Sequence, residues 1–214
     1  MQRRSPICAA LILVSCGALP EHPQECLLQS RHASTIETPL GLGTGFPISD
    51  TSWLTAWHVV EGTPVEMITA SGLEVLEVIR VGDLDACVLV TEPHNREPWP
   101  LADRIPLAGE RVFKSGYGAG EHWWTEGIAT EDADRIAIDI FHGDSGGPLF
   151  DAQGNVLGVI VSMGGYGYEG RILHHARIVP MALILAAMPE GLLEGLELPH
   201  GPLPVGETPW ERFL

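Results

Sequence analysis

A chain of 214 residues is long enough for one large β domain or two small ones. Apolar residues make up 45% and charged residues 19%, which is typical of a globular protein, and the 25 Gly and 17 Pro favour a turn-rich β fold over a helical one. The net charge of −16 argues against a nucleic-acid partner, because phosphate groups would be repelled.

The chain begins with a pattern that is typical of export signals. Two arginines precede an apolar run over residues 7–14, which is too short to span a bilayer. The run ends in Leu13-Val14-Ser15-Cys16, which resembles a bacterial lipobox, where the signal is cut before the cysteine and lipid is attached to it. We therefore expect residues 1–15 to be a signal peptide and the protein to be exported, anchored by lipid on Cys16 to the periplasmic or cell-surface side of a membrane. An ordinary secretory signal cut after Ala18 and an uncleaved anchor are the alternatives.

Two cysteines remain after this processing. Cys26 and Cys87 are an even pair in a compartment that permits disulfides. Cys87 also lies inside the apolar run 86–90, where a small buried thiol would fit, so a bridge and a free thiol both stay open. No Cys-x-x-Cys or His-Glu-x-x-His motif occurs, and the adjacent His174 and His175 would point to opposite sides of a strand. We predict no metal site and no cofactor.

Composition divides the rest of the chain. Residues 16–33 are polar and suit a tether. Residues 34–98 and 99–189 form two β-rich halves, joined by a proline-rich linker that starts near Glu92, and an apolar run over 181–188 predicts a closing helix. Residues 190–214 are acidic and contain proline, which predicts a loosely ordered tail.

Within the first half, glycine-rich residues 41–48 and residues 53–56 predict a hairpin around a polar turn. This hairpin places His58 just beyond the end of its second strand. In the second half, Ile136, Ile138 and Ile140 alternate with polar residues and predict a strand over 135–140.

The most distinctive stretch is Phe141-His142-Gly143-Asp144-Ser145-Gly146-Gly147-Pro148. Three glycines in five positions weaken any regular element, so they need another reason. A nucleophilic hydroxyl requires a tight turn whose backbone N–H groups are free to face a developing oxyanion, and glycines permit both. The stretch therefore predicts that Ser145 is a nucleophile.

Residues 143–148 resemble the Gly-Asp-Ser-Gly-Gly-Pro signature of chymotrypsin-like serine peptidases at all six positions. Thr55-Ala56-Trp57-His58 departs by one residue from the Thr-Ala-Ala-His motif of that family, and His58 precedes Ser145 in the family's order. The resemblance implies an all-β fold of two antiparallel six-stranded Greek-key barrels with a short C-terminal helix. It also implies a serine endopeptidase whose partners are polypeptide substrates.

The resemblance also implies the site residues. His58 would be the general base, and Gly143 and Ser145 would supply the N–H groups of the oxyanion hole. The family's acid opens a buried strand and is followed two residues later by a small buried residue. Asp85 fits this pattern with Cys87 as the small residue. Asp83 fits less well, because Asp85 would then have to occupy the small buried position. Asp85 would accept the Nδ1–H of the histidine.

Substrate specificity follows less directly from the resemblance. Asp139 has the spacing of the acid that recognises Arg or Lys in trypsins, although its alternation with three isoleucines points it toward water. Ser162-Met163-Gly164 resembles the family's substrate-pairing strand, with Met in place of an aromatic residue, which makes Ser162 and Gly164 substrate-binding candidates.

The position of Asp144 bears on whether the enzyme must be activated by cleavage. In members activated by cleavage, the residue before the serine receives a new N-terminal ammonium, and no start of the Ile-Val-Gly-Gly type exists here. We therefore expect Asp144 to bond elsewhere and the enzyme to need no such cleavage. The alternatives to a peptidase are a catalytically silent binding module of the same fold at the cell envelope and an esterase or acyl transferase with the same three residues.

Overall fold

The computed structural model describes residues 33–168, 171–194 and 196, with residues 166–168 and 171–174 described by their backbone alone. The predicted signal peptide, Cys16, the tether up to residue 32, Cys26 and most of the acidic tail lie outside the described residues.

The first half forms a closed antiparallel barrel with strand order β1-β2-β3-β6-β5-β4. Its strands are β1 (Ser34–Thr38), β2 (Gly41–Pro47), β3 (Ser52–Thr55), β4 (Thr69–Ala70), β5 (Leu73–Arg80) and β6 (Cys87–Thr91). β1 closes the barrel by pairing with β2 along its whole length and with β4 through Ile36 and Ala70. Residues 52–55 of β3 are all buried, because this strand has one face in the barrel and the other against neighbouring structure.

The second half forms another closed barrel, with strand order β10-β11-β12-β9-β8-β7. Its strands are β7 (Arg111–Gly116), β8 (Trp123–Ala129), β9 (Arg135–Ala137), β10 (Pro148–Phe150), β11 (Val156–Tyr168) and β12 (Arg171–Pro180). The two barrels and the helix after β12 confirm the predicted all-β fold class.

Helical structure is short. α1 (Trp57–Val60) is one turn directly after β3, α2 (Met181–Ala187) follows β12, and α3 (Glu190–Leu193) comes shortly after. Single 3-10 turns occur at Val65–Met67 and Gly118–Gly120. No helix in the described ranges has the length and apolar character needed to cross a membrane.

One hydrophobic core extends across both barrels. It joins buried side chains of the first barrel, such as Phe46 and Leu54, to Phe113 and Phe150 of the second and to Trp99 of the linker. Helix α2 closes this core with Ile184 and its neighbours. Each barrel also has a smaller cluster of its own. The packing of both barrels on shared side chains brings their facing loops together.

Two elements differ from the sequence prediction. β9 ends at Ala137, although Ile138 and Ile140 continue the alternation and are buried. Alternation reports which face is buried and not whether a neighbouring strand is present, so the predicted strand was three residues too long. The tail begins with helix α3, whose Leu192 and Leu193 pack against the main core instead of remaining loose.

Candidate active site

His58 is presented by a short helical turn at the end of β3. Thr55 ends that strand fully buried, and its hydroxyl donates a hydrogen bond to the Thr44 carbonyl at 2.7 Å. The buried Val60 anchors α1 from the other side. His58, between these two anchors, keeps 39% of its side chain exposed. The sequence indicated the end of the strand but not the helical turn.

Asp85 lies directly beside His58. The antiparallel register pairs Thr55 with Cys87, so the end of β3 lies next to the start of β6 and the residues flanking them meet. Asp85 Oδ2 lies 2.8 Å from His58 Nδ1, and Asp85 Oδ1 accepts the His58 backbone N–H at 2.9 Å. Asp83, the alternative acid, is exposed.

The charge state of Asp85 follows from this contact. Partial desolvation acts to raise the pKa of the carboxyl, but the hydrogen bonds from the His58 side chain and backbone and the attraction of its ring outweigh it, so the pKa is lowered. An ionised carboxylate only accepts hydrogen bonds, so Nδ1 must carry the proton. In the neutral form of the imidazole, the lone pair is then on Nε2.

Ser145 lies on a turn that both barrels hold. Its carbonyl accepts the Thr44 N–H of β2 at 2.8 Å, and the N–H of Gly146 donates to Ile160 of β11 at 2.7 Å. Gly146 has φ +87°, and a Cβ there would lie 2.0 Å from the Thr44 carbonyl oxygen. Only glycine permits this approach, which is the physical reason for the glycine after the serine.

Two backbone donors beside the serine have no acceptor among the residues that the structure describes. The N–H groups of Gly143 and Ser145 donate no hydrogen bond within the described part of the chain. The preceding carbonyl of His142 accepts the Ala119 N–H at 2.8 Å, and Thr44 Oγ1 donates to the Gly143 carbonyl at 2.6 Å. Since the peptide bonds are trans, the Gly143 N–H points away from the side of Ala119. The Asp144 carbonyl likewise accepts the Gly147 N–H at 2.9 Å, so the Ser145 N–H points away from Gly147. Both donors therefore remain available to an external acceptor.

Asp144 is held beneath this turn by a buried lysine. Asp144 and Lys114 of β7 are both fully buried, and Lys114 Nζ donates to Asp144 Oδ2. The same oxygen accepts the Phe141 N–H at 2.7 Å. Gly116 makes room for the carboxylate, because a Cβ there would lie 2.6 Å from Asp144 Oδ1. The sequence predicted that Asp144 bonds elsewhere but did not indicate Lys114.

His58 and Ser145 line one cavity of about 250 Å³, together with Gly143. No hydrogen bond between Ser145 Oγ and His58 Nε2 is formed among the described residues. Such contacts are often long in structures without substrate and tighten when substrate binds. The arrangement supplies a hydroxyl, an imidazole held by a carboxylate and two N–H donors at one cavity.

Comparison with known proteins places the chain in a family. The profile of the trypsin-like peptidase domain matches residues 43–159, more than half of the chain. The chain belongs to this family. The matched region contains His58, Asp85 and Ser145.

Characterised relatives are similar over part of their length. A serine protease of Mycobacterium tuberculosis is 30% identical over 139 residues, which cover 55% of this chain and 35% of that protein. A probable periplasmic serine endoprotease, DegP-like, of Halomonas elongata is 30% identical over 135 residues, covering 55% of this chain and 28% of that protein. The match spans about a third of the length of these relatives.

Solved structures show the same fold. An inactive-form crystal structure of the Mycobacterium tuberculosis serine protease has a TM-score of 0.63 and 20% identity, covering 87% of this chain and 95% of that one. The serine endoprotease of Yersinia pestis has a TM-score of 0.65 and 22% identity, covering 83% and 69%. A scabies mite inactivated protease paralogue has a TM-score of 0.61 and 14% identity, covering 78% and 93%.

The predicted specificity residues take different positions within the family fold. Asp139 is exposed between the buried Ile138 and Ile140. Ser162 and Gly164 lie on β11, which pairs with β12 on one side. On its other side, the pairing with β10 ends at Val159, so this edge carries no partner strand among the described residues.

His175 is a residue that the sequence analysis did not connect with this strand. It pairs with Gly164 across β11 and β12, and a Cβ on Gly164 would lie 2.3 Å from His175 Nε2. The glycine therefore makes room for the buried imidazole. A glycine opposite a histidine is a signal that appears only once the register of the two strands is known.

The remaining candidates do not form a metal or disulfide site in this part of the molecule. Cys87 is a buried free thiol whose Sγ lies 4.0 Å from the Ala56 carbonyl oxygen. Desolvation, with the charge of Asp85, raises its pKa and keeps it protonated. No group of three or more His, Cys, Asp or Glu side chains in the described ranges is arranged to hold a metal ion.

Proposed function

We propose that this protein is a serine endopeptidase that hydrolyses peptide bonds through an acyl-enzyme on Ser145. The observation that carries the proposal is the double hydrogen bond from His58 to Asp85 at the cavity that Ser145 also lines. Membership of the trypsin-like peptidase family supports the same reaction.

Each group has a defined role in the proposed reaction. His58 Nε2 takes the Ser145 proton as Oγ attacks the scissile carbonyl, and Asp85 stabilises the imidazolium that forms. The N–H groups of Gly143 and Ser145 bind the oxyanion, and each such donor contributes about 3 kcal/mol in acyl-transfer enzymes. His58 then protonates the leaving amine, and a water molecule, activated by the same imidazole, releases the acyl group.

We further propose that the enzyme needs no cleavage within the barrels to become active. The Lys114 ammonium occupies the place of a positive partner for Asp144, and no new N-terminus is required. Finding that a cut between residues 34 and 189 is necessary for activity would contradict this proposal.

We propose that the mature protein is exported and carries lipid on Cys16. The short apolar run and the lipobox-like sequence support this. In a bacterial host, wild-type protein should incorporate labelled fatty acid and fractionate with membranes, whereas Cys16→Ala should do neither. Incorporation that persists in Cys16→Ala would contradict the assignment.

Labelling by a fluorophosphonate probe tests the proposed chemistry directly. Wild-type protein should be labelled, and Ser145→Ala and His58→Ala should not. Ser49→Ala, on the turn between β2 and β3, is the matched control and should be labelled like wild type. Circular dichroism establishes that each variant is folded. Substrate profiling then begins with Arg and Lys before the scissile bond, where Asp139→Asn tests the proposed role of Asp139.

The second candidate function is a catalytically silent binding module at the cell envelope. The observation that favours it is the similarity of the fold to a scabies mite inactivated protease paralogue. A folded wild-type protein that resists labelling while binding polypeptides would support this function. Labelling with hydrolysis of simple esters but not of peptides would instead support the esterase alternative.

A further inference from the structure

The tip of the β1–β2 hairpin presents two leucines at the active-site cavity. Leu40 is 81% exposed and Leu42 is 36% exposed, and both line the same cavity as His58 and Ser145. Single exposed leucines are common on protein surfaces. Here two leucines, two residues apart in the chain, line the same cavity as the proposed nucleophile and base.

The hairpin holds Leu40 in this exposed position. Thr38 pairs with Gly41, so Pro39 and Leu40 form a two-residue turn. The Thr38 hydroxyl accepts the Leu40 N–H at 3.2 Å and donates to the Gly41 carbonyl at 3.3 Å. Proline restricts φ at the turn as well. Because the tip is organised by its own residues, the backbone of the hairpin would lose little freedom when a ligand binds against it.

The cavity has one apolar wall and no charged side chain of the Asp, Glu, Lys or Arg type in its described lining, although the whole chain carries a net charge of −16. Val59 adds a further apolar side chain beside the leucines. The acidic surface therefore does not extend into this lining.

The position of the leucines relative to β11 indicates which part of a substrate they contact. The open edge of β11 at Ser162 and Gly164 is the candidate for pairing with the substrate backbone, and neither residue lines this cavity. The cavity is lined by the β1–β2 hairpin, α1 and the turn before Ser145. His58 must reach the leaving amine to protonate it, so the leaving-group side of the substrate passes α1. His58 and Val59 of α1 line this cavity together with the hairpin, and the cavity therefore receives the segment that leaves as the amine.

We propose that Leu40 and Leu42 form an apolar binding surface for the leaving-group side of the substrate. The substrates are then polypeptides with an apolar side chain shortly after the scissile bond. This inference rests on the proposed peptidase function, because it concerns the departure and return of an amine at the Ser145 acyl-enzyme.

Transfer of the acyl group from Ser145 to an added amine measures binding at this leucine surface separately from formation of the acyl-enzyme. A simple ester substrate forms the acyl-enzyme and leaves nothing on the leaving-group side. An added amine then competes with water: its nitrogen bonds to the acyl carbon as the Ser145 Oγ–carbon bond breaks, and its proton passes through His58 to Oγ. Leucinamide and glycinamide are the two probes, and the ratio of amide products gives the selectivity.

Wild-type protein should prefer leucinamide over glycinamide by about tenfold, which is typical of one well-placed apolar contact. Leu40→Ser and Leu42→Ser should bring the ratio close to one. Leu42→Thr should give the same loss of selectivity. Threonine favours a strand, so this variant shows that the loss does not come from disturbance of β2 by serine. Leu107→Ser is the matched control, because Leu107 is 64% exposed and lies outside the cavity lining, and its ratio should equal that of wild type.

The outcomes separate the two proposals. Equal use of the two amines by a wild-type protein that forms and hydrolyses an acyl-enzyme overturns the leucine surface and leaves the peptidase function intact. A wild-type preference that survives in all three leucine variants also overturns it. Failure to form any acyl-enzyme overturns both proposals together.

Discussion

Asp85 decides the chemical state of His58 through two hydrogen bonds from one carboxylate. One oxygen contacts the ring and the other accepts the backbone N–H of the same residue. The ring orientation and the backbone of α1 are therefore set together. The side chain remains 37% exposed, so its contribution is to orient the ring more than to stabilise the fold.

Replacing Asp85 by Asn tests this role. The amide can donate toward Nδ1 and favour the wrong tautomer, so kcat should fall by about 10³–10⁴-fold with little change in unfolding free energy. Ester hydrolysis and urea unfolding measure the two quantities. Asp83→Asn is the matched control and should keep full activity, and an equal loss in both variants would count against Asp85.

Lys114 and Asp144 form an ion pair beneath the active site, and both side chains are fully buried. Removing one partner of such a pair leaves an uncompensated charge in the interior. Lys114→Met should therefore lower the unfolding free energy by about 3–5 kcal/mol. It should also slow fluorophosphonate labelling, because Asp144 precedes the serine and accepts the Phe141 N–H.

Two further variants define that experiment. Arg111 lies on the same strand as Lys114 and forms an exposed ion pair with Glu126 of β8. Arg111→Met removes this pair and should have a far smaller effect. Lys114→Met combined with Asp144→Asn should regain part of the lost stability, because it removes the buried charge. Equal destabilisation by Lys114→Met and Arg111→Met would show that the buried pair has no special role.

At the scale of elements, the connection between the barrels is tied to the second barrel by Arg104. Its guanidinium contacts Glu110 at 2.6 Å and Asp151 at 3.0 Å. The Arg104 hydrogen bond lowers the pKa of Glu110, against a smaller opposing effect of desolvation. The linker is therefore an ordered segment with charged attachments, although its prolines alone indicated only an irregular connection.

Glu110→Gln should make stability less dependent on pH. Because the pKa of Glu110 is lower in the folded protein, its ion pair stabilises the wild type above the ordinary value of 4.5, and this is lost as pH falls through the lowered pKa. Wild type should exceed Glu110→Gln by about 1 kcal/mol at pH 7, and the difference should disappear in acid. Urea unfolding from pH 7 to pH 3 measures this, with exposed Glu66→Gln as control. A difference that grows in acid would reverse the assignment.

At the scale of the whole molecule, the two barrels share their main core through Trp99. This linker side chain is 1% exposed, and its ring lies 6.2 Å from Phe46 of the first barrel and 5.1 Å from Phe150 of the second. A shared core couples the stability of the two barrels. It also fixes the relative positions of His58 and Ser145, which come from different barrels.

Trp99→Ala should therefore destabilise both barrels together, by about 3–5 kcal/mol. Hydrogen exchange should show protection falling by the same factor in β2 and in β10. Trp123→Ala, whose ring is 48% exposed, is the matched control and should have little effect. Protection lost in only one barrel would show that the barrels are independently stable.

Local patterns in the sequence predicted a β-rich chain and a glycine-rich turn at Ser145, and the resemblance to a known family implied the two-barrel fold. The glycines around Ser145 are required by close backbone contacts, and glycine spacing is visible along the chain. The buried Lys114 had no such signal. All of its neighbours from Val112 to Gly116 are buried as well, so alternation did not mark it as an interior charge.

The sequence by itself determined that the chain is a β protein with a serine on a glycine-rich turn, a histidine after a hairpin and an acid before a buried strand. These are properties of single segments, set by local backbone requirements and by the order of residues. The contact of Asp85 with His58 was expected from the family resemblance. Only the tertiary structure decided that Lys114 pairs with Asp144, that Thr44 of the first barrel holds the Ser145 carbonyl, and that Leu40 and Leu42 line the cavity. Each of these contacts depends on strand register and barrel closure, which join residues far apart in the chain and leave no local pattern.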